Sequence, residues 1–170
     1  KIIEKKIQTS NGTIILYTDS IKEPCYTGNR YILYSTKDCD YTYYLGNDEW
    51  FSIESTNLNN DTLDEIIVQR CNTYCNGCSK EIFILSVQNH SLEVLFDFSP
   101  YIKIINDNWK SFTIMNNIWV LGEEPRYGPH RWNFWTYEFN GNNYELIKEE
   151  TTIKKYDYPP DINVETIRIK

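Results

Sequence analysis

Three cysteines, Cys71, Cys75 and Cys78, stand at C-x3-C-x2-C spacing in the stretch QRCNTYCNGCSKEIF, residues 69–83. Thiolates this close together either ligate a metal or close a loop by oxidation. The same spacing holds a [4Fe–4S] cluster in radical SAM enzymes, but there an aromatic residue precedes the last cysteine and the loop sits on an α/β barrel. Here Gly77 holds that place, and sustained helical patterning is absent. Zinc is a second reading, with Cys75-Asn-Gly-Cys78 as a knuckle and Cys71 and Cys25 completing a tetrahedral set. No second C-x-x-C pair accompanies it. The third is a stapled loop, in which Cys25, Cys71, Cys75 and Cys78 form two disulfides with three possible pairings.

A second group of reactive side chains lies in GEEPRYGPHRWNFW, residues 122–135. His130 beside Glu123 or Glu124 has the composition of a general base. No G-x-S-x-G, H-E-x-x-H or P-loop accompanies it, so a hydrolase-like reading stays an alternative. The same loop offers Arg126, Tyr127, His130 and Trp132 as contact residues. With Tyr26 and Tyr74 from the cysteine-bearing loops they make a candidate binding surface, since Tyr, Trp and Arg dominate interface hot spots. The other histidine, His90, falls in the turn QNHSL and reads as a solvated turn residue.

The elements that must position these groups are short. Runs such as TIILYT, RYILYS, EIIVQR, EIFILSV, SLEVLFDF and NFWTYEF are rich in β-branched and aromatic residues. Polar or glycine-containing turns bound them, which predicts an all-β chain. The runs repeat: residues 65–96 lie over 117–148 without a gap, an offset of 52 residues (65 to 117). Ile66–Val68 then fall on Ile118–Val120, and Phe83 and Leu85 on Trp135 and Tyr137. A further step of the same size puts them on Ile14–Leu16, and on Tyr31 and Leu33, in a looser first copy. Asn140-Gly141 predicts a two-residue hairpin turn at positive φ in the third copy. The expectation is one domain over residues 1–170. It comprises three degenerate blade-like units of three to four antiparallel strands, arranged as a partial propeller or open barrel.

In this frame Cys25 aligns with Gly77, beside Cys78, so the cysteine loops emerge at one end and disulfides are favoured. Cys39 aligns with Ser91 at the opposite end. A five-residue strand spans roughly 17 Å, and a disulfide tolerates a Cα separation of at most about 7 Å. Cys39 is therefore expected as the odd thiol. The C-terminal INVETIRIK reads as a last strand able to join an open edge.

Just before the second unit, NLNNDTLDEIIV, residues 57–68, resembles the D-x-N-x-D-G-x-x-D signature of FG-GAP or VCBS-type propeller repeats. Asn57, Asn59 and Asp61 stand at the first, third and fifth positions of that pattern. Thr62 replaces its glycine, and Asp64 and Glu65 fill the closing acidic places. The downstream layout is similar to single-copy relatives in bacterial lipoproteins. The resemblance covers about 45 residues well. It implies a blade-like fold and a calcium loop, but two neutral Asn ligands make any such site weak, because anionic ligands set affinity. Asx-type hydrogen bonding across the turn is the alternative.

Net charge bounds the partners. The 17 Lys and Arg residues against 24 Asp and Glu give −7, which argues against nucleic acid. No apolar run is long enough for a transmembrane helix. Five cysteines in a β-rich chain point to an oxidising compartment. We expect a periplasmic, secreted or outer-surface bacterial protein, with a lipid anchor upstream of Lys1 as one form of that. The expected function is non-enzymatic binding of a protein partner, as an inhibitor or immunity-type protein, through the loop end. The alternatives are the His130 hydrolase and a structural surface-lipoprotein domain. No cofactor is required by this reading, with weakly bound calcium or zinc at the cysteine loop as minor alternatives.

Overall fold

The computed structural model describes residues 1–19, 28–47, 50–72, 79–101, 103–117, 128–161 and 163–169. Among them there are thirteen strands and no helix. The strands form three separate antiparallel sheets, each a meander in chain order, and no barrel closes among the described residues. The chain divides into two compact units, Lys1–Ser99 and Pro100–Lys170, and each is taken by itself.

The first unit holds two four-stranded sheets. The first sheet is β1 (Ile2–Gln8), β2 (Gly12–Thr18), β3 (Arg30–Thr36) and β4 (Asp40–Gly46). The second is β5 (Trp50–Thr56), β6 (Glu65–Asn72), β7 (Ser79–Gln88) and β8 (Ser91–Tyr101). Alternation decides which side chains meet, because successive residues of a strand point to opposite faces. Ile14 and Leu16 of β2, Ile32 and Tyr34 of β3 and Leu45 of β4 form one core with Ile53, Ile66, Val68, Phe83, Leu85 and Leu92. Each fully buried aliphatic side chain here stabilises the unit by about 1.5–3 kcal/mol. The opposite face of the second sheet is buried as well, at Ile67, Ile82 and Ile84. That is why β6 and β7 read as continuous apolar runs rather than alternating ones.

Turn chemistry fits the connections. Asn89 and His90 both have positive φ (48° and 65°) in the two-residue link between β7 and β8, the requirement of a type I′ hairpin. His90 is exposed there.

The second unit is a five-stranded sheet. Its strands are β9 (Lys103–Asn108), β10 (Ser111–Asn117), β11 (Trp132–Phe139), β12 (Tyr144–Thr152) and β13 (Thr166–Arg168). Met115, Trp132 and Phe134 form one core cluster of it, with Ile105, Tyr156 and Val164 packed on them. The C-terminal strand joins the edge of β12, pairing Arg168 with Glu150. The β11–β12 link has four residues, 140–143, not two. Asn140 Oδ1 accepts from the amides of Asn142 and Asn143, and Gly141 takes φ +105°.

Strand pairing corrects the gap-free repeat. Val68 stands opposite Phe83, and Ile114 opposite Trp135. The counterpart of Val68 is thus Ile114, six residues before the Val120 that the 52-residue offset assigns; 118–120 lie outside the described residues. In the first sheet Leu16 faces Ile32, not Tyr31. The buried pair is therefore Ile32 and Tyr34, and a one-residue slip of this kind exchanges the two faces of a strand. Loops of unequal length carry the differences, so strands repeat where spacings do not.

Candidate functional site

Alternation along β6 puts Ile66, Val68 and Arg70 in one inward row; on β7 the row is Glu81, Phe83 and Leu85. Both apolar rows thus end in a charge, and the register places Arg70 directly opposite Glu81. Arg70 Nε donates to Glu81 Oε2 at 2.5 Å, and its Nη1 donates to the Leu45 carbonyl of β4 at 3.0 Å. The guanidinium also lies 5.4 Å from the Phe83 ring centroid. One side chain therefore ties both sheets of the first unit together. Arg70 and Glu81 are 28% and 17% exposed, so the pair is partly desolvated and removal of either partner strands the other's charge.

Above this pair is a cleft of about 190 Å³. It is lined by Tyr43, Tyr44, Phe83, Phe98, Val94 and Asp97, with the ion pair at its floor. Tyr43 packs on Phe83 at 6.2 Å between centroids, and Tyr44 on Tyr31 at 5.3 Å. Tyr44 OH donates to Asn29 Oδ1 at 3.1 Å. Asp97 is exposed and, among the described residues, has neither a hydrogen-bond nor an ion-pair partner. The cleft sits where β6 runs into the connection 73–78, one residue from the Cys71–Lys80 pair. Gly46 pairs with Arg30 beside the connection 20–27, so both cysteine-bearing connections leave from this end. Among the described residues the lining offers aromatic surface and charge, which suits recognition of a partner group.

The loop entering β6 has the opposite character. Asp61 Oδ1 accepts from the Leu63 amide at 2.7 Å and Asp61 Oδ2 from Asn59 Nδ2 at 2.7 Å. Asn59 Oδ1 accepts from the Asp61 amide, and Asn57 Nδ2 donates to the Asp61 carbonyl. Asn60 takes φ +60°, which Asn tolerates. Tyr34 OH receives the Asp64 amide at 3.1 Å, and Asn11 Nδ2 donates to the Thr62 carbonyl. Glu65 turns inward, only 1% exposed. It accepts from the Leu58 amide at 2.8 Å and Ser86 Oγ at 3.3 Å. Burial pushes its carboxyl above the usual value, against the opposing pull of the Leu58 amide. Asn57 Oδ1 is buried with no partner among the described residues. No group of three or more His, Cys, Asp or Glu side chains among the described residues is placed to hold a metal ion.

The remaining candidates separate. His130 and Trp132 are 8% and 4% exposed, so neither presents a surface. The backbone of His130 bridges to Tyr156 through two hydrogen bonds of 2.9 and 2.8 Å. Its Nδ1 is buried without a hydrogen-bond partner among the described residues. Tyr26, Tyr74, Arg126 and Tyr127, and the Glu123 and Glu124 of the hydrolase alternative, lie outside the described residues. So do Cys25, Cys75 and Cys78. Cys39 is a free, exposed thiol in the β3–β4 turn, where its amide donates to Thr36 Oγ1. No disulfide joins two described residues, and Cys71 is disulfide-bonded. Arg70, Glu81 and Asp97 escaped the motif reading because they belong to no motif. For Arg70 the available signal was a charge continuing the inward parity of Ile66 and Val68, and for Glu81 one continuing that of Phe83 and Leu85.

Fold and site together define an all-β protein of three antiparallel sheets with an aromatic, ion-paired cleft in its first unit. Compared with family models, curated proteins and solved structures, the chain matches none.

Proposed function

We propose that this protein is a non-enzymatic, extracytoplasmic binding module that holds a protein partner, in the manner of an inhibitor or immunity protein. The reading takes the three meanders as degenerate propeller-type blades and the cysteine-loop end as the contact surface. The observation that carries it is the cleft at that end, with fixed aromatic walls and an internally neutralised Arg70–Glu81 floor. Preorganised walls of this kind reduce the ordering cost of binding. Disulfides among Cys25, Cys71, Cys75 and Cys78 would fix the loops around it.

Affinity capture with the oxidised protein, followed by calorimetry on each captured protein, tests the reading. A partner bound at micromolar strength or better, lost on reduction, supports it. No partner, together with turnover in a hydrolase substrate panel that His130→Ala abolishes, overturns it in favour of an enzyme. Intact mass after alkylation tests the compartment: one reactive thiol, Cys39, before reduction and all five afterwards. Zinc in the native mass would instead place the protein in a reducing compartment.

A further inference from the structure

Resting on the reading of the chain as a binding module, we propose that the cleft receives a single cationic side chain, arginine or lysine, from a basic protein partner. Size favours a small occupant. Small-molecule sites run to about 300–1,000 Å³, and this cleft, at about 190 Å³, is of side-chain dimensions. Charge selects the sign. The Arg70 guanidinium is neutralised by Glu81 and further held by the Leu45 carbonyl, so it is not offered to an anion. Asp97 is the lining carboxylate without a partner among the described residues, which leaves the described part of the lining with a net charge of −1 (Arg70 against Glu81 and Asp97).

The rest of the lining suits the stem of such a side chain. Val94, 44% exposed, and the rings of Tyr43 and Phe98 offer apolar surface beside the carboxylate. Lysine and arginine bury an aliphatic stem and keep a charged head near water. Aromatic walls add cation–π attraction. At long range, the chain's net charge of −7 draws a basic partner toward the site.

The test is an amide NMR titration of the oxidised full chain. The probes are the N-acetyl, N-methylamide derivatives of arginine, lysine, norleucine and glutamate, taken to roughly 50 mM because one side chain binds in the millimolar range. The arginine and lysine probes are expected to shift amides of 43–45 and 94–99, and the other two to leave them unmoved. Asp97→Asn weakens the arginine probe about fivefold, the size of one partly exposed ion pair. Glu93→Gln, on the same strand, leaves binding unchanged. Both replaced side chains reach solvent, and an unchanged spectrum elsewhere verifies each variant's fold. Equal shifts by norleucine, no shift by arginine, or full binding by Asp97→Asn each overturn the proposal. A captured partner that binds Asp97→Asn as tightly as wild type removes this inference and leaves the binding module standing. Arginine binding with no captured partner does the reverse.

Discussion

The two ends of β6 carry charged side chains that solve the same problem differently. At its start Glu65 is buried and meets neutral donors, the Leu58 amide and Ser86 Oγ. At its far end Arg70 is partly exposed and meets a full countercharge in Glu81. Neutral donors satisfy a carboxylate's hydrogen bonds but do not offset the cost of removing its charge from water, so the Glu65 carboxyl titrates high. A countercharge does offset that cost, and it lets the pair stay where water still reaches. The first arrangement makes a brace and the second makes the floor of a cleft. The loop that resembles a ligand site spends its polar atoms on itself, whereas the cleft, which no motif announces, gives Asp97 no partner among the described residues.

Arg70→Ala should have the largest effect. It strands Glu81, frees the Leu45 carbonyl and uncovers Phe83, for about 2–4 kcal/mol of lost stability, read by chemical denaturation. If Arg70→Met is as stable as wild type, the ion pair shapes the cleft without supporting the fold. Glu65→Ala follows, at about 1–3 kcal/mol, because the Leu58 amide loses its acceptor.

Glu65→Gln sharpens the contrast through pH. The folded pKa lies above the ordinary 4.5, so between those two values the native state holds more protons than the unfolded one, and stability falls as pH rises. The stability difference between wild type and Glu65→Gln should therefore shift in favour of the variant from pH 4 to pH 8. A flat difference would mean that Glu65 is not desolvated.

Asp61→Ala removes the acceptor of the Leu63 amide and should cost about 1 kcal/mol, comparable to a lost helix cap. Smallest of all, millimolar calcium should move the thermal midpoint by less than about 1 °C. A larger rise would make the 57–65 loop an ion site and dissolve the contrast with the cleft.

Much of the architecture was legible because strand signals are local. Period-two alternation, β-branched runs and the Asn-His turn needed no knowledge of neighbours, whereas the Asn-Gly link came out two residues longer than its dipeptide suggested. The joining of the last strand to an open edge was also readable, from its alternation. Register was not. The third unit's first paired strand lies at 111–117, and the buried face of β3 is Ile32 and Tyr34. Both depend on loop lengths that strand composition does not encode. His130 and Trp132 looked like surface anchors because their loop is rich in charge and proline. Packing placed them in the core of the second unit, with Met115 and Phe134 beside Trp132.

The sequence by itself therefore determined the strands and several of the turns, set by each residue's own conformational preferences and near neighbours. The tertiary structure alone decided that Arg70 meets Glu81, that its guanidinium reaches the Leu45 carbonyl, and that Asp97 meets no cation among the described residues. Those outcomes need strands far apart in sequence to arrive at one edge of a sandwich, and burial of the inward apolar rows fixes that arrival.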